Sequence, residues 1–399
     1  MSVNRGYQFF QNPGPTNIPD RVLRAMSRGA IDFTGREFRA IAAECFAGLR
    51  RIFKTEQAIV AYAASGHGAW EAALSNLFSP GDRLLLIESG YFSLHWGQLA
   101  EALGLAVETL PTDWRDGADP AALEARLRED RAHALKGVLV VHNETSTGVA
   151  NRIAELRRAI DAARHPALFL VDVISSLASI DFRMDEWRVD VVVGGSQKGL
   201  MLPSGMAFTA VGERARRAAE TARLPRIYWD WRHLLRGLEQ VSFNGTAPVH
   251  FFFGLQEALR MIEEEGLEAV FRRHHRLAEA TRRAVAVWQG NDGPEIFARD
   301  PRVRSDSVTA VLLPEGHDAE RVRDICLDRF SVSLGGGLGP LAGRVLRIGH
   351  MGDLNEPMIL GALAAVEMAL ALAGVPHGKG GVVAAADYLV AETAAASGC

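Results

Sequence analysis

Two residues of this chain are of types, and at positions, suited to covalent chemistry on a carbonyl. Lys198 stands in Gly194-Gly195-Ser196-Gln197-Lys198-Gly199-Leu200, directly behind the apolar run Val191-Val192-Val193. Asp172 closes another apolar run, Leu168-Phe169-Leu170-Val171, twenty-six residues earlier. A lysine and an acid delivered to neighbouring strand ends suit pyridoxal 5'-phosphate (PLP). The amine holds the aldehyde as a Schiff base, and the acid keeps the pyridine nitrogen protonated so that the ring withdraws electrons. A solvated loop lysine writes the same local pattern. The pair alone leaves both readings open, and the rest of the chain has to decide.

Four further stretches carry groups that bind. Ser65-Gly66-His67-Gly68 follows one strand pattern and opens a helix, so it presents free backbone N–H groups and the positive end of a helix dipole to an anion such as a phosphate; many glycine-rich turns only turn. Phe92, in Gly90-Tyr91-Phe92, has either a cofactor ring or the core to pack on. His142-Asn143-Glu144-Thr145-Ser146-Thr147 ends a strand with six polar residues, which need a ligand or a polar turn to satisfy them. Arg347, in Arg344-Val345-Leu346-Arg347-Ile348-Gly349-His350, sits between apolar residues, a setting for bidentate capture of a carboxylate and equally for a salt bridge.

The elements that must position these residues are those of an α/β protein. Between residues 57 and 212, short β-rich runs (Ala58–Ala63, Arg83–Ile87, Ala106–Thr109, Gly137–Val141, Ala167–Val171, Val189–Val193, Ala207–Val211) alternate with amphipathic stretches (Ala69–Leu77, Leu94–Ala102, Pro120–Arg128, Arg152–Ala163). This predicts a mostly parallel sheet covered on both faces, with ligands beyond the carboxyl ends of its strands. After Pro248 the texture changes. Two long helices, Pro248–Glu265 and Leu267–Trp288, meet at Gly266. They are followed by Ser307–Leu313, a helix Ala319–Arg329, a glycine-rich loop Gly335–Gly339, a strand Arg344–Ile348 and a helix Asn355–Ala371. We expect an N-terminal arm (1–20), a large domain (21–265) and a smaller α+β C-terminal domain (266–399) ending in an alanine-rich helical tail.

The bulk properties narrow the class. The chain has 399 residues, 48% of them hydrophobic and 23% charged, with a formal charge of −4, which gives no reason to expect nucleic acid or an anionic membrane. Arg214, Arg216 and Arg217, and Arg272, Arg273 and Arg276, read as solvated helix faces. Cys45, Cys326 and Cys399 have neither CxxC spacing nor an even count, so no disulfide framework or metal site is expected. No secretory signal is visible, and no apolar run is expected to reach the ~18 residues that cross a bilayer. A cytoplasmic protein is expected.

Taken together these motifs resemble the class V aminotransferases of PLP fold type I, most closely the serine–glyoxylate and alanine–glyoxylate aminotransferases. The resemblance runs from Asn12-Pro13-Gly14-Pro15-Thr16-Asn17-Ile18-Pro19 through His142-Asn143-Glu144-Thr145, Asp181-Phe182-Arg183-Met184-Asp185-Glu186-Trp187 and the Gly195-Ser196-Gln197-Lys198 box. It then takes in Arg347-Ile348-Gly349-His350 and Gly381-Val382-Val383-Ala384-Ala385-Ala386. It implies a seven-stranded, mostly parallel sheet in the large domain, Lys198 as the Schiff-base lysine and Asp172 on the pyridinium. It also implies Phe92 stacked on the ring, Thr145 on the ring hydroxyl, and Ser65, Gly66, His67 and Gln197 around phosphate and ring. Thr246 would reach the phosphate of the neighbouring subunit, which makes the protein a homodimer with shared sites. Arg347 would bind the substrate carboxylate, with Gly14 on the substrate side.

Two departures stand out. Phe243 is nearest the place of a usual tyrosine and has no hydroxyl, and Asp32-Phe33-Thr34 replaces a usual Asp-His-Arg. The activity implied is transfer of an amino group from serine, alanine or aspartate to glyoxylate or another small 2-oxo acid. A pyridoxamine–pyruvate pair on the same branch is an alternative. A lyase of the cysteine desulfurase type is disfavoured, because Ser333–Gly343 contains no cysteine and Cys326 falls on a predicted helix. A silent fold is disfavoured by the presence of both Asp172 and Lys198.

Overall fold

The computed structural model describes residues 6–235 and 243–397. The seven runs read as strands form one sheet in the spatial order Ala58–Tyr62, Ala207–Val211, Val191–Gly195, Leu168–Asp172, Leu135–Val141, Arg83–Ile87, Ala106–Leu110. The five strands from Val191–Gly195 onward pair in parallel, and Ala207–Val211 is antiparallel to both its neighbours. Alternation along each strand divides the side chains between two cores. Leu85, Val138, Val140, Phe169, Val171 and Val192 enter one, under the helices Arg36–Phe53, Ile153–Ala162 and Val249–Glu265. Leu84, Leu86, Leu139, Leu170, Val191 and Val193 enter the other, with Trp70 and Trp96 of the helices Gly66–Leu77 and Tyr91–Ala102. Apolar residues at every position, rather than every second one, are what a sheet buried on both faces requires.

The connectivity opens a crevice. From Arg83–Ile87 the chain moves outward to Ala106–Leu110, and it then returns to Leu135–Val141 on the other side of Arg83–Ile87. The segments leaving these two strands therefore diverge at their carboxyl ends, where ligands bind in open parallel sheets. Gly90–Phe92 leaves one of them and His142–Thr147 the other.

A second, five-stranded sheet has the order Phe9–Gln11, Val332–Gly336, Val345–Gly349, Val308–Leu312, Glu295–Ile296. Its first strand comes from the N-terminal segment and pairs in parallel with Val332–Leu334. The segment then passes so close to this sheet that two glycines are needed. A Cβ on Gly335 would lie 2.7 Å from Pro13 Cδ, and one on Gly349 would lie 2.4 Å from the Asn12 carbonyl oxygen. The stretch read as a glycine-rich loop from Gly335 therefore begins as strand, with Gly335 and Gly336 opposite Arg347 and Leu346.

One expectation is corrected. The helix Glu356–Ala373 is long and apolar enough, by length and composition, to cross a membrane. Its apolarity has another cause: Ile359, Ala362, Leu363, Val366, Ala369 and Leu370 fill the core of the smaller sheet, together with Leu277, Trp288, Leu346 and Ile348. Cys45 and Cys326 are buried free thiols; Cys399 lies outside the described residues.

Candidate active site

Asp172 is the last residue of its strand and Lys198 follows Gly195 by three, so the two arrive on adjacent parallel strands at the same edge. They line a cavity of about 200 Å³ together with Gly14, Gly66, His67, Phe92, Thr145 and Gln197. Trp70, Asn143, Ile174, Ser175 and Ser204 complete much of its wall. Ser65 is exposed and is not part of the lining, although it stands at the N-cap of the helix that presents Gly66 and His67. Thr246 is exposed and also lies outside the cavity. Phe243 packs edge-on against Phe252, with centroids 5.7 Å apart. Asp32 folds back on Thr34, accepting from its N–H at 2.8 Å and its hydroxyl at 2.7 Å.

Burial sets the chemistry of the central pair. The Asp172 carboxyl is pushed up to about 7, first by desolvation, although Ile174 N donates to Oδ1 at 2.6 Å and Trp70 Nε1 to Oδ2 at 2.8 Å. Lys198 is pushed down to about 7, by desolvation first and then by the Arg347 charge. Its Nζ donates to the Pro13 carbonyl at 2.5 Å. Thr16 ties the same N-terminal segment to the lysine box, its hydroxyl donating to the Lys198 carbonyl at 3.0 Å and its N–H to that of Gln197 at 3.2 Å. A lysine amine that is about half neutral near pH 7 is a nucleophile and a base; an exposed one, almost wholly protonated there, is neither.

Arg347 lies behind this cavity on the small sheet. Its guanidinium is buried, donates to the carbonyls of Gly336 at 2.7 Å and Thr145 at 3.0 Å, and is pushed down to about 10 by desolvation. Among the described residues no carboxylate comes within ion-pair distance of it.

Sequence reasoning did not assign three supports. Trp70, four residues beyond Gly66 on one helix, reaches Asp172 and stacks on Trp96 at 5.6 Å. Glu144 is fully buried, with its acidity weakened by that burial. It accepts from the N–H groups of Phe92 (3.3 Å) and Ser93 (3.0 Å), which makes it the anion at the N-terminus of the helix that carries Phe92. Gly90 permits this, since a Cβ there would lie 2.3 Å from Glu144 Cγ. His67 pairs with His95, Nε2 to Nδ1 at 3.3 Å. The run of polar residues from His142 to Thr147 was the signal for Glu144, but only the fold shows which helix it serves.

The residues fit PLP on three observations. A desolvated carboxylate waits for a cationic partner. A buried amine faces the same space. The cradle at Gly14 has no room for a Cβ, which would fall 2.2 Å from Lys198 Nζ. Sheet, strand-end pair and cavity define a fold type I PLP-dependent enzyme.

Comparison with known proteins makes this narrower. A family profile described as aminotransferase class-V matches residues 8–338. A serine–glyoxylate aminotransferase of Methylorubrum extorquens is 46% identical over 384 residues, 94% of either chain. An L-aspartate–glyoxylate aminotransferase of Paracoccus denitrificans is 42% identical over 96% of either chain. The crystal structure of pyridoxamine-pyruvate aminotransferase from Mesorhizobium loti superposes with a TM-score of 0.89 at 27% identity, over 96% of this chain and 97% of that one. The chain belongs to the class V aminotransferase family and is related to its serine–glyoxylate and alanine–glyoxylate members.

Proposed function

We propose that this aminotransferase moves the amino group of a small L-amino acid (serine, alanine or aspartate) to glyoxylate, giving glycine and the donor's 2-oxo acid, and that it works as a homodimer. The observation that carries the substrate class is Arg347, a buried guanidinium with no carboxylate partner among the described residues, beside the cavity that Lys198 lines. A desolvated cation without a counterion is costly, and a substrate carboxylate offers the planar, two-pronged match. Amino-acid donor and 2-oxo-acid acceptor both carry that group, so one arginine serves both half-reactions. A cavity of about 200 Å³ is at the small end for ligand sites and favours short side chains. Glyoxylate is the acceptor named for both relatives described above.

Bound here, PLP would supply an electrophilic aldehyde and an electron-withdrawing ring. Lys198 Nζ would be the group that holds the aldehyde and, once freed by the donor's amine, the base placed to carry the donor's Cα proton. Asp172, its carboxyl plane fixed by hydrogen bonds from Trp70 and Ile174, would hold the proton of the ring nitrogen. Phe92, whose N–H donates to Glu144, would be the aromatic against the ring. The Pro13 carbonyl takes the Lys198 amine whenever that amine is free.

A half-reaction screen tests this reading. The holoenzyme is mixed in turn with L-serine, L-alanine, L-aspartate and pyridoxamine while the visible absorbance of the cofactor is followed, and glyoxylate or pyruvate is then added. Bleaching by at least one of the three amino acids and recovery with glyoxylate are expected. Response to pyridoxamine alone would replace this reading with pyridoxamine–pyruvate transfer, and response to no donor would remove both.

A further inference from the structure

Asn143 lines the cavity and is 1% exposed. Its side-chain nitrogen donates to Ser175 Oγ and Ser307 Oγ, each at 2.7 Å. Counting hydrogens fixes which end of the carboxamide is nitrogen. The single hydroxyl hydrogen of Ser175 goes to the main-chain carbonyl of Asn143 at 2.7 Å, so Ser175 Oγ can only accept from the side chain, and the atom facing it must be N–H. Ser307 is held in turn by Ser305, whose Oγ lies 3.1 Å from Ser307 Oγ and accepts from Ser307 N at 3.0 Å. Both amide hydrogens are therefore spent on serine hydroxyls, and Oδ1 is left buried without a partner.

An orphaned buried acceptor leaves its desolvation uncompensated, and in a cavity wall it is a place where a bound molecule can bring the missing donor. The charged and indole donors of the site are engaged elsewhere: Trp70 Nε1 on Asp172, Lys198 Nζ on Pro13, Arg347 on Gly336 and Thr145. A substrate carboxylate has no proton to give. A hydroxyl, on the substrate side chain or on the cofactor ring, supplies a donor of the kind Oδ1 lacks.

We propose that Asn143 Oδ1 accepts from the side-chain hydroxyl of the amino donor, so that the site selects a hydroxyl-bearing small amino acid over its deoxy counterpart. This rests on the transaminase reading above and deepens it, since serine carries such a hydroxyl and alanine differs from it by that group alone. A site that hydrogen-bonds a substrate hydroxyl rejects the analogue lacking it far better than a pocket that only fits a shape.

The test uses the holoenzyme and two readouts. One is kcat/KM for the half-reaction with L-serine and with L-alanine. The other is binding of α-methylserine and 2-aminoisobutyrate, which have no Cα hydrogen and so report affinity without turnover; cofactor affinity is measured alongside. For Asn143→Ala, serine and α-methylserine should each lose about 10- to 100-fold while alanine and 2-aminoisobutyrate stay within about 3-fold, with cofactor affinity unchanged. Ser175→Ala keeps the amide but frees one of its anchors, so it should lower the serine preference by a smaller factor; it carries the test if Asn143→Ala does not fold. An equal effect on both members of each pair overturns the proposal. So does a change in cofactor affinity and absorbance maximum at constant serine preference, which would assign the oxygen to the ring hydroxyl. A parent enzyme that uses none of serine, alanine and aspartate fails with the function proposed above; one that uses aspartate alone, or serine and alanine in a ratio the variants leave untouched, sinks this inference alone.

Discussion

At the scale of single residues, the site works by removing two charges from water. Asp172 and Lys198 are 3% and 8% exposed, and desolvation drives each toward its neutral form, the acid up and the amine down, both to about 7. The Arg347 charge adds to the effect on Lys198, and the nearby Glu144 adds to that on Asp172. For the lysine the functional sign is definite. Only the unprotonated amine attacks an aldehyde, and the fraction unprotonated rises as pH passes upward through about 7 rather than through the ordinary 10.5. The rate at which the cofactor-free protein captures PLP should therefore climb about fivefold from pH 6 to 7, about tenfold from pH 6 to 8, and level off above that. Stopped-flow absorbance from pH 6 to 9 measures this; a rate still rising tenfold per unit at pH 9 would mean that Lys198 keeps a solvated lysine's basicity. Capture must also require this residue: borohydride reduction followed by peptide mapping should place the cofactor on Lys198, and Lys198→Ala should fold and trap none.

At the scale of elements, much was legible. The strands of the large sheet follow from short apolar, β-branched runs bounded by turn residues, and Arg83–Ile87 and Ala207–Val211 were read with the bounds the structure gives them. Asp172 and Lys198 could be placed at strand ends because a buried parallel strand announces itself by continuous apolarity. The N-terminal segment was not legible in the same way. Phe9–Gln11 is only three residues long, and its partner Val332–Leu334 lies more than 300 residues away, so no local period reveals the pairing. Nor does spacing disclose that the Pro13 carbonyl meets Lys198, or that Glu144 anchors the helix of Phe92, because these contacts exist only once three loops converge.

That convergence makes Gly14 decisive. Its φ of +114° is open to glycine, and an added Cβ would fall 2.2 Å from Lys198 Nζ and Cδ. The obstructed atoms are the far end of a flexible side chain, so the fold yields there and the amine is pushed off its line. Gly14→Ala should cost about 1–3 kcal/mol of stability from backbone strain but slow PLP capture on the order of 10²-fold. Urea unfolding and uptake kinetics separate the two effects; capture at the parent rate would show that the N-terminal segment does not position the lysine.

At the scale of the whole molecule, the question is what lies against the exposed apolar surface beside the Ser65–Gly68 turn. Ile227 and Tyr228 are 86% and 44% exposed. The next residue, Trp229, packs on that turn, with Trp229 Cη2 only 2.9 Å from where a Cβ on Gly68 would be, and its ring meets Tyr62 at 5.4 Å. Asn244, two residues before Thr246, donates to the carbonyls of both Ile227 and Tyr228, at 2.9 and 2.7 Å. Trp229 and Asn244 thereby tie this segment to Gly68 on one side and to the Thr246 loop on the other. Thr246 lies outside the cavity of its own chain, so a second copy of the protein covering this surface would both bury the apolar pair and bring a threonine hydroxyl toward a phosphate. The protein should sediment at twice its 43.3 kDa chain mass at micromolar concentration. Ile227→Glu places a charge in that contact, where an unpaired buried charge costs several kcal/mol, and it should shift the mass toward the single chain. The same variant should weaken PLP binding about tenfold or more without lowering the stability of the separated chain, because Ile227 supports no core. Sedimentation and cofactor titration on one sample decide it: a variant that stays dimeric with parent affinity, or a parent that is a monomer with a complete site, would rule out this surface as the place where two chains meet.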